Sequence, residues 1–333
     1  MFTVLDGDKL LPKKLLLIIN PKSGVTSIKN TLIDILEVFG IWNYSVSVHL
    51  TRFSGDAIGV ITERAHEYDL IVCCGGDGTI NEAFSALSHL KDAPPLGIIP
   101  CGTTNDFAYS LSIPTDPIAA ANTICAGTEF SCDCGSLNGR AFSYAAAFGL
   151  FTNVTYETPQ ESKNLLGRTA YFLEAIKSLP AYSPYTMKIE NEDGIYEGEY
   201  ILGMITNTVS IGGLRSFFSS IAELDDGYLE VTLVKAPKTF ADFQKAIAIL
   251  TKTTPLETEI TDFLTVVRAK KLHITSDDDI PWTLDGEEGG VFRDITIEVV
   301  PNAVKIMVDE EHIKLSSESS AGSRVIKKPK RLS

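Results

Sequence analysis

The glycine-rich segment Cys74-Gly75-Gly76-Asp77-Gly78-Thr79-Ile80-Asn81-Glu82 is the clearest indication of the fold in this sequence. The apolar run at 69–73 before it is typical of a buried parallel strand, and the apolar spacing from Ile80 to Leu90 predicts a helix. The glycines let a polyphosphate approach the backbone, and the helix N-terminus offers free N–H groups. Asp77 would repel phosphate unless a magnesium ion or a hydroxyl lay between them. We therefore predict a phosphate-binding turn, with a plain Asp-Gly structural turn as the alternative.

The first 130 residues alternate strand and helix patterns. Strands are predicted at 14–20, 44–50, 70–74 and 96–100, and this alternation with short connections indicates a doubly wound parallel sheet. Ligands bind such sheets beyond the carboxyl ends of the strands. Polar turns follow these strands at 20–24, 51–55, 75–79 and 101–106. They predict one crevice, lined by Asn20, Ser23, Thr51, Asp77, Thr79, Thr103 and Asn105.

Composition sets broad limits on function. The 333 residues are 44% hydrophobic and 22% charged, which suggests a globular protein of two domains. A net charge of −14 disfavours nucleic acid as a partner. We find neither a signal peptide nor an apolar run of the roughly 18–20 residues that span a bilayer. The six cysteines form no CxxC pair and are interpreted as free thiols in a reducing cytosol.

The second half of the chain is rich in strand patterns. A hairpin is predicted at Asn138-Gly139, between strands at 130–137 and 140–150, followed by a helix at 162–179. Later strands are predicted at 185–191, 196–207, 228–235, 261–268, 270–275 and 294–300, with a helix near 239–250. This pattern indicates an antiparallel, sandwich-like domain. We predict an α/β domain over 1–130 completed by part of 300–315, a β-sandwich domain over 131–300, and a basic, disordered tail over 316–333.

Two acidic turns in this second half are candidates for chemistry, at 223–228 (ELDDGY) and 284–288 (LDGEE). Each is also compatible with a solvated hairpin turn. A kinase needs a carboxylate to accept the proton of the attacking hydroxyl and oxygen ligands to hold magnesium. Two such turns facing a phosphate-binding domain would supply both. The P-loop motif GxxxxGK[ST] is absent from the sequence, and GxGxxG fails at its third glycine.

Five motifs occur together in order: NPKSG at 20–24, GGDGT at 75–79, GTTNDFA at 102–108, DDG at 225–227 and LDGE at 284–287. The set resembles the diacylglycerol kinase catalytic-domain family, specifically its soluble bacterial lipid kinases, which are related to sphingosine kinase. The resemblance covers about 13–315. It implies an α/β N-terminal domain like those of NAD kinases and phosphofructokinases, and an ATP- and Mg²⁺-dependent lipid kinase. Family members commonly have a third glycine where this chain has Cys74.

The resemblance also assigns roles to residues. Asp285 would be the general base that removes the proton of the lipid hydroxyl. A magnesium ion would be held by the Asp226 side chain and by the Glu223 and Tyr228 carbonyls. Asp77 and Asp106 would belong to an acidic network that reaches the nucleotide-bound metal. The residues that would bind ATP are Asn20, Pro21, Lys22, Ser23, Gly24, Thr51, Gly75, Gly76, Asp77, Gly78, Thr79, Ile80, Asn81 and Thr103.

Diacylglycerol, giving phosphatidic acid, is the leading acceptor. Phosphatidylglycerol, a sphingoid base or another lipid alcohol stays open, as do a NAD kinase and a non-catalytic lipid- or nucleotide-binding regulator. We expect a cytoplasmic protein that associates peripherally with a membrane surface, and a homodimer is left open. The basic tail, the helix at 162–179 and the segment 211–218 are candidates for lipid contact, against the alternatives of a solvated terminus and ordinary core.

Overall fold

The computed structural model describes residues 11–23, 25–103, 105–149, 184–207, 210–211, 214–215, 224–239, 242, 259–260 and 263–310. The helices are α1 (Val25–Ile41), α2 (Asp56–Arg64), α3 (Asp77–Ser88), α4 (Asp106–Ser110) and α5 (Pro117–Ala126). The strands of the first part are β1 (Lys13–Ile19), β2 (Tyr44–Leu50), β3 (Leu70–Gly75), β4 (Leu96–Pro100), β5 (Thr128–Leu137), β6 (Arg140–Phe142) and β7 (Ala145–Gly149). Those that follow are β8 (Tyr185–Asn191), β9 (Gly194–Thr206), β10 (Ser210–Ile211), β11 (Leu214–Arg215), β12 (Leu229–Lys235), β13 (Glu259–Ile260), β14 (Leu264–Ala269), β15 (Lys271–Leu284) and β16 (Glu287–Val308).

Four parallel strands form the N-terminal sheet in the order β2-β1-β3-β4. Helix α1 packs beside α5, and α2 packs beside α3. Apart from the exposed Lys13 and Lys14 at the start of β1, strands β1, β3 and β4 are apolar and buried, as expected for strands covered on both faces. The predicted doubly wound α/β fold is confirmed.

The local predictions are closest in this half. The strands predicted at 44–50 and 96–100 are β2 and β4 with the same bounds. Helix α3 begins at Asp77 instead of the predicted Ile80. The first turn of this helix is Asp77-Gly78-Thr79, which has no large apolar side chain, so apolar spacing could not detect it. The glycine-rich turn and the helix N-terminus are therefore one element.

The second half is antiparallel. Strands β5 and β6 form the predicted hairpin at Asn138-Gly139, where both residues have positive φ (47° and 84°). The strand predicted at 140–150 is two strands, β6 and β7. The strands predicted at 270–275 and 294–300 are parts of much longer ones, the 14-residue β15 and the 22-residue β16. The predicted helices at 162–179 and near 239–250 lie outside the described residues, apart from 239 and 242 in the latter.

Strand β16 extends through both halves of the molecule. Its first part pairs with β15, and its last part pairs with β5 and, at Ile306, with β4. One buried apolar cluster surrounds the parallel strands and includes Val304 and Ile306 of β16. A second cluster fills the antiparallel half and includes Ile295 and Ile297. One strand thus contributes to both cores, and the predicted domain boundaries remain predictions.

Candidate functional site

The predicted polar turns after β1, β3 and β4 come together where the parallel strands end, and the turn after β2 lies beside them. The Asn20 side chain joins two of them, because its Nδ2 donates a hydrogen bond to Thr79 Oγ1 at 3.0 Å. The Asn20 backbone N–H donates to the Cys74 carbonyl at 2.9 Å. The Thr51 N–H donates to the Ile19 carbonyl at 2.9 Å, which places the end of β2 beside the first turn.

The glycine-rich turn touches the turn that follows β4. A Cβ on Gly102 would lie 2.6 Å from Gly76 Cα, and a Cβ on Gly76 would lie 3.9 Å from Ser23 Oγ. The Asn105 side chain holds the second turn, since its Oδ1 accepts from the Gly102 N–H at 2.8 Å and its Nδ2 donates to the Gly102 carbonyl at 2.9 Å. The absence of Cβ atoms therefore lets the two backbones meet at the mouth of the crevice.

Two carboxylates lie at this junction. Asp77 starts α3, where the first N–H groups of a helix favour negative charge. Its Oδ1 accepts from the Phe107 N–H at 3.3 Å. Burial and then the neighbouring charge of Asp106 raise the pKa of Asp77, and Asp106 is itself buried. Two adjacent carboxylates in a buried site are an arrangement that a divalent cation would stabilise.

Glu82 holds the fourth turn against α3. Its Oε1 accepts from the Gly55 N–H at 2.7 Å, and its Oε2 accepts from the Ala57 N–H at 3.3 Å. These groups lie at the N-terminus of α2, where no side chain of α2 itself provides a cap. Asp56 adds a second restraint, because its Oδ2 accepts from the Arg52 N–H at 2.8 Å. The loop containing Thr51 is thereby fixed to the helix that follows the glycine turn.

Asp285 lies in the two-residue turn between β15 and β16, with φ 51°, but it is not solvated. The residue is only 5% exposed, and its carboxylate accepts four hydrogen bonds. Oδ2 accepts from Ser143 N–H and Oγ at 2.7 and 3.0 Å, and Oδ1 accepts from the N–H groups of Tyr144 and Ala145 at 2.9 and 2.8 Å. Burial raises the pKa of Asp285 to about 6, while these hydrogen bonds oppose the rise.

Tyr144 packs against the turn that contains Asp285. Its hydroxyl donates to the Asp285 carbonyl at 2.8 Å. Burial raises the pKa of Tyr144 well above its usual range, and the charges of Asp285, Asp77 and Asp106 raise it further. The phenol therefore lies within electrostatic range of all three aspartates. No motif indicated Tyr144 or Ser143, because their roles arise only when the β6–β7 segment packs over a turn about 140 residues away.

The acidic turn at 225–227 is held by Asp133, which is also buried. Asp133 Oδ2 accepts from the Gly227 N–H at 2.7 Å, and its Oδ1 accepts from the Asn302 N–H at 2.8 Å. The Asp226 carboxylate forms an ion pair with Arg268, whose guanidinium lies 4.8 Å from the centre of the Tyr228 ring. Among the residues that the structure describes, no three His, Cys, Asp or Glu side chains are grouped to hold a metal ion.

Most of the predicted site residues are present around the crevice. The turns at 20–23, 75–81, 102–103 and 105–106 are in contact or adjacent, and Thr51 flanks them. Gly24 and Glu223 lie outside the described residues, so the proposed Glu223 carbonyl ligand stays a prediction. The roles assigned to these residues, the homodimer and the contact with lipid also stay predictions. Of the segment 211–218, the structure describes only 211 and 214–215.

The chain is similar to known proteins over most of its length. Residues 14–137 match the family described as the diacylglycerol kinase catalytic domain, and residues 147–308 match the YegS C-terminal NAD kinase beta sandwich-like domain. The chain is 35% identical to a diacylglycerol kinase of Bacillus subtilis over 281 residues, which are 84% of this chain and 91% of the relative. It is also 35% identical to a diacylglycerol kinase of Staphylococcus epidermidis over 280 residues, 84% and 87% of the two chains.

A similar solved structure supports the same comparison. The crystal structure of a diacylglycerol kinase from Bacillus anthracis superposes with a TM-score of 0.72 at 26% sequence identity, covering 91% of this chain and 99% of the other. Both halves of the chain are therefore similar to the corresponding halves of one solved kinase structure. The predicted β-sandwich-like second domain is confirmed.

Proposed function

The chain belongs to the diacylglycerol kinase family and is a lipid kinase, and from that premise we propose that it transfers the γ-phosphate of ATP to the hydroxyl of diacylglycerol. The product would be phosphatidic acid. The observation that most supports this proposal is the convergence of glycine turns, buried aspartates and Asp285 at one crevice. The similarity to two relatives named diacylglycerol kinase covers 91% and 87% of their length, which supports diacylglycerol as the acceptor.

In this proposal the nucleotide lies along the ends of β1, β3 and β4. The phosphates approach the glycine-rich turn, where the side of Gly78 that a Cβ would occupy is open. The N-terminus of α3 supplies N–H groups and the positive end of its dipole. Asn20 and Thr79 hold the two turns in register through their hydrogen bond. Lys22 is exposed on the first turn and supplies a positive charge near the phosphates.

We propose Mg²⁺ as the accompanying ion. The residues fit this ion, since Asp77 and Asp106 place two oxygen-bearing groups together and the pKa of Asp77 is raised partly by the charge of Asp106. A hard cation there would remove that repulsion and neutralise phosphate charge. Asp226, with the Glu223 and Tyr228 carbonyls, is the further set that the family resemblance indicates. Its carboxylate would have to exchange Arg268 for the ion.

Asp285 is proposed as the general base. With a pKa of about 6 it is ionised at pH 7 and remains basic enough to take the proton of an alcohol as the phosphate is transferred. A carboxylate has about four lone-pair sites, and four donors occupy them here. The Ser143 hydroxyl is the donor that can leave without backbone movement, because rotation about its side chain suffices. Release of this hydroxyl would open Oδ2 to the acceptor.

Contact with the lipid would take place at a membrane surface. In the described part of the chain, no helix has both the length and the apolarity required to cross a bilayer. Because the proposed acceptor is a membrane lipid, we propose peripheral association, with the acceptor hydroxyl presented to the crevice from the membrane. Cosedimentation with anionic vesicles tests it, and a protein that stays in the supernatant with and without diacylglycerol would contradict it.

The decisive experiment is transfer of labelled γ-phosphate from ATP to lipids in mixed micelles with Mg²⁺. The acceptor panel contains diacylglycerol, phosphatidylglycerol, sphingosine and undecaprenol, with NAD as a soluble acceptor. We expect labelled phosphatidic acid. Label on another lipid would retain the reaction and change the acceptor, and label on NAD alone would overturn the proposal. ATP binding without transfer to any acceptor would favour a binding or regulatory role.

Asp77→Asn serves as the matched variant in this assay. The amide keeps the shape of the side chain and an oxygen for the Phe107 N–H, but removes the charge that would face the cation. We expect a loss of roughly 10²-fold in rate. Unchanged turnover at low Mg²⁺ would contradict the assignment of Asp77 to the metal.

A further inference from the structure

Two cysteines lie side by side beneath the crevice. Cys74 is in β3, Cys101 directly follows β4, and their Sγ atoms are 2.9 Å apart. Cys74 is 1% exposed and Cys101 is 8% exposed. Neither thiol has a place in the proposed phosphate transfer.

The pair lies at the base of both glycine turns. Gly75 and Gly76 follow Cys74, and Gly102 follows Cys101. The Cys101 N–H donates to the Gly75 carbonyl at 2.7 Å. One residue further on, a Cβ on Gly102 would lie only 2.6 Å from Gly76 Cα. The two turns are therefore in contact directly above the sulfurs and cannot move closer without changing shape.

We propose that Cys74 and Cys101 form an oxidative modification site, which a peroxide converts into an intramolecular disulfide that deforms the two glycine turns and weakens ATP binding. The effect on ATP rests on the function proposed above. Formation of the disulfide does not depend on that function.

The geometry favours a bond between these two sulfurs. A disulfide has an S–S distance of about 2.04 Å, so the sulfurs must approach by about 0.9 Å. The strands that hold them are hydrogen-bonded neighbours in register from Ile71↔Leu96 to Gly75↔Pro100. Gly76 and Gly102 are already in contact, so no free space remains between the two turns. Formation of the disulfide would therefore change the conformation of the turns themselves.

The electrostatics indicate which sulfur reacts first. The hydrogen-bond contact with the Cys74 thiol lowers the pKa of Cys101 and favours its thiolate. Burial raises the pKa of the other cysteines, for example to about 12 for Cys125 on α5. Cys101 is also the more exposed of the pair. It is therefore the sulfur that a peroxide would attack.

The reaction balances in two steps. The Cys101 thiolate attacks the peroxide, an S–O bond forms as the O–O bond breaks, and the product is a sulfenic acid with loss of hydroxide. The Cys74 sulfur then attacks the Cys101 sulfur, an S–S bond forms, and the S–O bond breaks. The second hydroxide leaves and takes the Cys74 proton as water. Two thiols lose two electrons in total, and the peroxide is reduced to two waters.

The first test is to map thiols in the full-length protein after treatment with hydrogen peroxide. Free thiols are alkylated, the protein is digested, and the peptides are identified by mass spectrometry before and after reduction. We expect a peptide pair joined through Cys74 and Cys101 that separates on reduction. Recovery of both thiols alkylated, or conversion of Cys101 to higher acids without a cross-link, would overturn the proposal.

The second test measures ATP affinity by calorimetry before and after oxidation. We expect a several-fold weaker affinity that dithiothreitol restores. The ATP affinity of each variant is compared before and after peroxide. It should not change in Cys101→Ser or Cys74→Ser, and it should weaken in Cys125→Ser as in the wild type. If neither serine variant folds, Cys74→Ala replaces them. A disulfide that leaves the ATP affinity unchanged would overturn the proposed effect on the glycine turns. A reduced protein that does not bind ATP would overturn the proposed function, and the first test alone would then decide whether the disulfide forms.

Discussion

Two hairpins of this protein contain the same Asp-Gly dipeptide in different surroundings. The turn Glu192-Asp193 joins β8 to β9, Gly194 is the first residue of β9, and the Asp193 side chain is on the surface. The Asn191 Oδ1 holds this turn by accepting from the Asp193 and Gly194 N–H groups at 3.0 and 2.9 Å. Asp285-Gly286 joins β15 to β16, and the β6–β7 segment encloses its carboxylate with four donors. The difference shows that neighbours distant in sequence, and not the turn itself, make an aspartate a candidate for chemistry.

The largest expected contrast is between Asp285→Asn and Asp193→Asn. Loss of a general base costs about 10²–10⁴ in rate, so Asp285→Asn should reduce phosphate transfer by that factor. Asp193→Asn should leave turnover near the wild-type value, because a surface carboxylate contributes little. Initial rates with labelled ATP and diacylglycerol compare the two, with ATP affinity as the control for folding. Equal rates in both variants would show that the buried turn is only structural.

The second contrast concerns pH and stability. The pKa of Asp285 is about 6 in the folded protein against 3.8 for an ordinary aspartate. The folded state therefore holds the proton more tightly, and the free energy of unfolding contributed by this group falls as pH rises from about 4 to about 6. The difference at pH 7 is about 3 kcal/mol.

Urea titrations of wild type and Asp285→Asn across this range would isolate that contribution. The stability difference between the two proteins should shift in favour of the variant with rising pH. A stability difference that does not change with pH would show that the four hydrogen bonds fully offset burial.

A third contrast sharpens the role of the enclosing segment. Ser143→Ala removes one of the four donors to Asp285 and should cost about 1.5–3 kcal/mol of stability, the usual value for a hydrogen bond to a charged group. Removal of a donor disfavours the ionised carboxylate, so the pKa of Asp285 rises. The acidic limb of the kcat–pH profile should then move to higher pH, while the plateau above pH 8 is retained. If the acidic limb of the kcat–pH profile does not move, it reports the ionisation of a group other than Asp285.

The smallest contrast is between the two glycines. Gly286 has φ 83°, a left-handed conformation that disfavours a side chain, whereas Gly194 is not among the glycines with positive φ. Gly286→Ala should destabilise by about 1 kcal/mol, and Gly194→Ala by less than about 0.5 kcal/mol. Thermal unfolding of the two variants measures this. A larger loss in Gly194→Ala would mean that the Asn191 side chain, and not φ, controls the first turn.

Local patterns predicted the parallel sheet well and the long antiparallel strands poorly. Strands β2 and β4 have the predicted bounds because each is a short run between turn residues. In β15 and β16, the acidic run 277–279, Pro281 and Gly289-Gly290 look like breaks. The register shifts between Thr275 and Ile280 and between Trp282 and Thr283, so irregular pairing absorbs these residues and the strands continue.

The site was predictable to the extent that motifs mark it. The motifs identified the turns at 20–24, 75–79 and 102–106 and the aspartates, because glycine and acidic residues are needed there whatever the rest of the fold does. They did not identify Ser143, Tyr144 or Arg268. The contribution of these residues depends on contacts with distant strands and turns, and no local spacing records such contacts.

The 22-residue strand β16 has a mechanical consequence for any closure of the two halves. At about 3.4 Å per residue it would be roughly 70 Å long if straight, and its backbone is hydrogen-bonded into both cores. The halves therefore cannot slide past each other and can only bend about the strand. Its register changes between Val300 and Val304, where Asn302 is bonded to Asp133. Asp133 also accepts a hydrogen bond from the Gly227 N–H. Bending of β16 near Asn302 would therefore change the backbone conformation of the acidic turn at 225–227.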